Sequence, residues 1–128
     1  MLLHGRSISK GSATGELLIT DKPISFLGGV NPKTGEIIDV NHPLAGVSVA
    51  GKVLVFPFGK GSTVGSYVLY ALAKNNAAPA AIINKECETI IAIGAIMAGI
   101  PAVDRLEGDL LAGGRVTVDG TQGTVEFQ

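Results

Sequence analysis

The sequence predicts a mixed α/β domain in β/β/α layers, and three observations lead there. From Gly51 onward, short continuous apolar runs (GKVLVFPF, PAAIIN, IPAVD) alternate with segments able to form helices, 63–74 and 88–98. Runs of that kind belong to strands buried on both faces, as in parallel sheets with helical crossovers. The two ends of the chain instead carry short strand-like runs, with clear period-two alternation in RVTVDG and GTVEFQ. Finally, 128 residues at 46% hydrophobic and 16% charged supply one packed core and leave little room for a second.

Taken in order, Leu2–Ser9 and Glu16–Thr20 read as two early strands separated by KGSATG, whose Gly and Ser break any helical period. The long stretch DKPISFLGGVNPKTGEIIDVNHPLAG follows, with Pro23, Pro32, Pro43, Gly28, Gly29, Gly35 and Gly46 around one brief EIIDV strand. Connections of this length in compact domains are usually functional or interfacial. GKVLVFPF is a buried strand, GKGS a turn with an N-cap, and Thr63–Lys74 a helix closing at Asn75–Asn76. PAAIIN is the next buried strand, and Glu88–Ala98 a helix that Gly99 stops. Connections in this β-α-β-α order are expected to be right-handed. IPAVD is a third short strand, and a Gly113–Gly114 turn leads into the RVTVDG/GTVEFQ hairpin. No repeat, low-complexity segment or linker interrupts the chain, so 1–128 is read as one domain.

Charge and cysteine content exclude several function classes. Ten Lys and Arg against eleven Asp and Glu leave a net charge of -1, no field for holding nucleic acid or anionic lipid. The single Cys87 forms no internal disulfide and cannot alone hold zinc or an iron–sulfur cluster, so no metal site is expected on this chain. MLLHGRSISKG is too short in apolar residues for a secretory signal. The apolar run Ile90–Val103, broken by Gly94, Gly99 and Pro101, falls below the ~20 residues that span a bilayer. A cytoplasmic protein with no membrane or nucleic-acid partner is the expectation.

The strongest local signal for chemistry is Phe58-Gly59-Lys60-Gly61-Ser62-Thr63, at the junction of a buried strand with a helix N-terminus. Free backbone N–H groups and the helix dipole favour negative charge there. The spacing is neither that of a P-loop nor that of a G-x-S-x-G elbow. An ordinary N-cap at Ser62 or Thr63 with turn glycines accounts for the same residues. His4 and His42 have no ligand-spaced partners, and His42 before Pro43 reads as a loop or interface residue. Cys87 between Glu86 and Glu88 reads as structural, since negative surroundings oppose its thiolate. Of Lys22, Lys33, Lys52 and Lys60, only Lys60 gains weight as an anion ligand, from its place near the helix start. Asp104 and Arg105 read as a surface pair.

The order of segments is more specific than any one motif. PISFLGGVNPKTGEIIDVNHPLAG, then GKVLVFPFGKGSTVGSYVLYALAKNNAAPAAIINKE, then IMAGIPAVD, resembles the small subunit of the aconitase X family, a swivelling β/β/α domain, over nearly the whole chain. Agreement is best with the archaeal branch that dehydrates (R)-5-phosphomevalonate to trans-anhydromevalonate 5-phosphate in isoprenoid synthesis. The resemblance implies a hydro-lyase active only as a heterodimer, in which the large subunit carries a 4Fe-4S cluster on its own cysteines and binds most of a hydroxy-acid substrate. It implies Ser62 as the proton acceptor, with Lys60, Gly61 and Thr63 as its substrate-binding neighbours. One departure stands out: aconitase-type swivel domains follow this serine with an arginine, whereas Thr63, Val64 and Gly65 follow here. Recognition of carboxylate or phosphate is therefore expected on the large subunit.

Three other readings compete. A family branch dehydrates cis-3-hydroxy-L-proline with similar architecture. The tail GIPAVDRLEGDLLAGGRVTVDGTQGTV also resembles the phosphohistidine swivel domain of phosphoenolpyruvate-utilising enzymes, but GKGSTVGS lacks the histidine which that chemistry needs. A non-catalytic subunit that only closes over another protein's site is the last.

Overall fold

The computed structural model describes residues 2–110 and 114–128. Eight strands form one continuous mixed sheet in the order β1-β8-β7-β3-β4-β5-β6-β2. Strand β3 (Ser12–Ile19) joins its two halves. Ser12 to Glu16 pair antiparallel with β7 (Arg115–Asp119), and Leu17 to Ile19 pair parallel with β4 (Val53–Phe56). Strands β5 (Ala81–Asn84) and β6 (Ala102–Asp104) continue the parallel half. β8 (Thr124–Phe127) and β1 (Leu2–His4) continue the antiparallel half, and β2 (Arg6–Ser9) closes the far edge against β6.

Period-two alternation explains why the parallel strands look uniformly apolar. Leu54, Phe56, Ile82 and Ala102 face α2 (Gly65–Lys74) and α3 (Thr89–Ala98), meeting Leu69, Leu72, Ile91 and Ala95. Their neighbours Val53, Ala81, Ile83 and Val103 face the folded-over antiparallel half, meeting Val116, Val118 and Val125. The predicted β/β/α layering is thus what the molecule has. The helices cross closely at Gly94, where a Cβ would lie 2.6 Å from Leu69 Cδ1. Gly99 ends α3 in the left-handed conformation at φ 70°.

Three predicted elements differ in detail. Leu2–Ser9 divides at Gly5, because the chain there presses on β6: a Cβ would lie 2.5 Å from the Asp104 carbonyl. KGSATG is mostly strand, since only Lys10 and Gly11 (φ 116°) make the turn and Ser12 enters the β7 ladder. EIIDV forms no strand, only bridges from Ile37 to Val30 and Glu36 to Ser48. Consecutive turns through His42 and Leu44 bend the chain away, and only Ile37 is buried while Ile38 and Val40 stay exposed. The predicted Gly113–Gly114 turn lies partly outside the described residues, and the hairpin after it is present. The distorted turn Phe26–Gly29, α1, places Phe26 in the core. Among the described residues no helix is long and apolar enough to cross a membrane.

Asp104 and Arg105 do not pair with each other. Strand alternation turns Asp104 inward to full burial, where Arg6 binds it through two bonds, Nε to Oδ1 at 2.9 Å and Nη2 to Oδ2 at 2.7 Å. The Cys87 amide donates a third, at 2.7 Å. Arg105 leaves the strand at φ 53° and pairs on the surface with Glu86. Removing one member of a buried pair strands the other's charge. Arg6→Met is therefore expected to lower the urea midpoint of unfolding, because it leaves the buried Asp104 carboxylate without its cation. Urea denaturation checks this, and an unchanged midpoint would show that the pair does not anchor β2.

Candidate functional site

β4 ends at Phe56, and the chain then runs beside PISFLGG. Ile24 and Gly59 form a parallel bridge, with the Lys60 amide donating to the Ile24 carbonyl at 3.0 Å. Two segments distant in the sequence thereby become neighbours, and both glycines of FGKGS are fixed. At Gly59 a Cβ would overlap the Ile91 side chain and lie 2.8 Å from Glu88 Oε1, so α3 packs directly on the backbone. Gly61 has φ 92°, and the place of its Cβ is taken by Ser25 Oγ. The close approach that Gly61 permits is thus to Ser25.

Helix α2 begins at Gly65, two residues later than the sequence suggested, and its N-cap position, Val64, makes no side-chain bond. Ser62 is not a conventional cap. Its Oγ accepts the Val64 amide at 3.1 Å and its carbonyl accepts the Gly65 amide at 2.9 Å, a hydroxyl-closed turn leading into the helix. The Thr63 carbonyl accepts both the amide and the hydroxyl of Ser66. Lys60 to Val64 form an exposed run at the positive end of α2. Ser62 Oγ therefore has a backbone N–H already aimed at it and a hydroxyl proton free to transfer, in full contact with solvent.

Large apolar side chains surround this turn in the open. Leu27, Phe58, Val64 and Tyr67 are 45%, 45%, 46% and 63% exposed, values that an isolated domain has no packing reason to maintain. The other predicted residues scatter. His4 is exposed on β1, Lys33 lies on a surface turn, and Lys52 pairs with Glu16. Lys22, Lys60 and His42 instead converge on one cleft beside the turn, which no local motif announces.

Glu88 caps α3, its carboxylate accepting the Ile90 and Ile91 amides at 2.8 and 2.9 Å. Cys87, beside it, has its thiol pushed up to about 12, first by burial and then by the Asp104 and Glu88 carboxylates. Such a thiol is neither a nucleophile nor a cluster ligand at neutral pH. Among the described residues no group of three or more His, Cys, Asp or Glu could hold a metal ion. The described residues, with one cysteine whose thiol is held protonated, do not fit an iron–sulfur cluster.

Comparison with known proteins gives a consistent picture. The family model of the aconitase X swivel domain matches residues 2–127. The chain is 60% identical over 127 residues to the phosphomevalonate dehydratase small subunit of Methanosarcina mazei, covering 96% of this chain and 88% of that one. It is 57% identical over 129 residues to the protein of the same name from Thermococcus onnurineus, covering 100% and 99%. Its fold matches a crystal structure of Thermococcus kodakaraensis aconitase X in its holo-form, with TM-score 0.95 and 54% identity over 100% of this chain and 98% of that one.

The thiol provides a test of these electrostatics. Against the ordinary value of 9.0, the raised value keeps Cys87 protonated, so alkylation by iodoacetamide at pH 8 is expected to be at least a hundredfold slower in the folded chain than in urea. Equal rates in the two states would overturn the assigned environment.

Proposed function

Because the chain belongs to the aconitase X swivel-domain family, we propose that it is the small subunit of a phosphomevalonate dehydratase and that Ser62 is the base of the reaction. The names of the relatives support the substrate over cis-3-hydroxy-L-proline, and the lack of a histidine in the GKGSTVGS turn counts against a phosphocarrier. The observation that carries the reading is the exposed Ser62 hydroxyl, held by the Val64 amide at the start of α2 and ringed by uncovered apolar side chains. Half of a site looks like this before its other half arrives.

In the proposed reaction the C2–H bond of (R)-5-phosphomevalonate breaks, its electron pair forms the C2–C3 double bond, and the C3–O bond breaks with loss of hydroxide; the proton taken from C2 then passes to that hydroxide, which completes water and restores the base. A 4Fe-4S cluster held by the large subunit's own cysteines would supply the Lewis acid for the departing hydroxyl. This chain's part is to take the proton. A serine is a poor base in water, so Ser62 has to act as an alkoxide with water excluded. The Val64 N–H and the positive end of α2 stabilise negative charge on Oγ. Exclusion of water must come from the large subunit docking on Leu27, Phe58, Val64 and Tyr67, which would convert an exposed turn into a buried one. Lys60, Gly61 and Thr63 line the same run and are assigned to the substrate, Lys60 as a cation and Thr63 as a hydroxyl donor.

Two outcomes follow for the complex formed by co-expression with the large subunit and anaerobic cluster reconstitution. Ser62→Ala is expected to lower dehydration of (R)-5-phosphomevalonate by at least about 1000-fold while subunit association and cluster absorbance stay normal, and near-normal turnover would end the assignment. Val64→Asp is expected to weaken association of the subunits by roughly tenfold or more, measured by titration calorimetry, because it sets a charge in the apolar rim.

A further inference from the structure

The cleft beside the Ser62 turn, about 240 Å³, is walled by Lys22, Asp39, Asn41, His42 and Lys60, with Pro23 and Pro43 shaping its ends. Its residues come from three separate parts of the chain, two of which the Ile24–Gly59 bridge joins. Neither Lys22 nor Lys60 takes part in any ion pair among the described residues. His42 Nδ1 accepts the Leu44 amide at 3.0 Å, which makes Nε2 the nitrogen that carries hydrogen. His42 Nε2 is buried and has no hydrogen-bond partner; among the described residues the same holds only for the oxygen acceptor Asn84 Oδ1. The one acid in the wall, Asp39, has an oxygen engaged by the Asn41 amide at 3.0 Å. Two unpaired ammonium groups and an unspent donor against one carboxylate give the cleft a cationic lining suited to an anion.

We infer that this cleft holds the phosphate of the substrate, with Lys22 and Lys60 as its cationic ligands and His42 Nε2–H as a further donor. The identity of the ligand rests on the function proposed above. The reach of the substrate is compatible with phosphate in this cleft. The carboxylate is bonded directly to the carbon that Ser62 deprotonates, about 1.5 Å away, so it must lie at the serine itself. Phosphorus lies five bonds from that carbon, roughly 6 Å when extended, and the α-carbons of Ser62 and Lys60 are at most about 7 Å apart. A phosphate monoester near neutral pH also carries about -1.5 to -2, matching two lysines better than a monoanion does. The arginine that is missing after Ser62 is thereby replaced in function by lysines from elsewhere on the same chain, and recognition of the anionic tail is not left to the large subunit alone.

The test uses the reconstituted two-subunit complex with two readouts. In Lys22→Ala/Lys60→Ala, KM for (R)-5-phosphomevalonate is expected to rise roughly 30-fold or more with kcat largely retained, and calorimetric binding of inorganic phosphate to weaken in parallel. His42→Asn keeps an acceptor for the Leu44 amide but removes the Nε2 donor. It is expected to weaken phosphate by about tenfold, and the arginine variants of both lysines to restore most binding. A double variant with unchanged KM and unchanged phosphate affinity overturns the inference, as does a wild-type complex that binds no phosphate. A wild-type complex that binds phosphate through these lysines yet dehydrates nothing would sink the proposed reaction and leave the anion site standing.

Discussion

The contact on which the site depends is the one between Gly59 and the first turn of α3. With no room for a Cβ against Ile91 and Glu88, the chain leaving β4 passes tightly over the capped start of α3 before it turns into α2. Every later position follows from that passage. The Ile24 bridge is made on the same residue, Gly61 then turns through φ 92° beside Ser25, and Ser62 emerges two residues before the α2 N-cap. A larger residue at Gly59 would push the turn away from α3 and carry Ser62 with it.

The layering decides which end of the sheet can hold such a turn. β3 belongs to both halves of the sheet, so the antiparallel half folds over one face of the parallel strands while α2 and α3 cover the other. Both faces are consumed by packing. What remains open is the carboxyl end of the parallel strands, where the loops leave β4 and where ligands bind in open α/β sheets generally. The buried Asp104 serves the same arrangement from the far edge, tying β2 through Arg6 and the segment before α3 through the Cys87 amide. The start of α3, against which Gly59 packs, is thus held from both sides.

Most of the fold was legible because its signals are local. The continuous apolar runs, the Gly99 stop and the period-two hairpin each depend on a few consecutive residues and on burial, and the layering followed from them. The errors fall where a residue's fate is set by something distant. Nothing near Gly5 announces that it crosses against Asp104, and Ser12 becomes strand only because β7 is there to pair. Asp104 beside Arg105 looked like a surface pair since adjacency in sequence says nothing of which side faces in. The Ser62 turn could be picked out from its own glycines. The cleft could not, because a bridge brings together Lys22 and Lys60 from segments that share no motif, and His42 comes from a third segment.

Under the proposed reaction, an exposed serine beside a cationic cleft is what a divided active site requires of its smaller half. An alkoxide strong enough to take a proton from carbon must not persist in water, where it would be protonated and solvated at once. On the proposal that Ser62 is the base, keeping it in solvent until another surface covers it would confine that basicity to the assembled state, with the Val64 amide preserving the geometry meanwhile. The cleft has the opposite need: lysines facing solvent attract a dianion before closure, because their attraction acts over a distance comparable with the ~8–10 Å screening length. On this view the anionic tail of a substrate is gathered first, and its reactive carbon meets the base only when docking of the apolar rim has expelled the water.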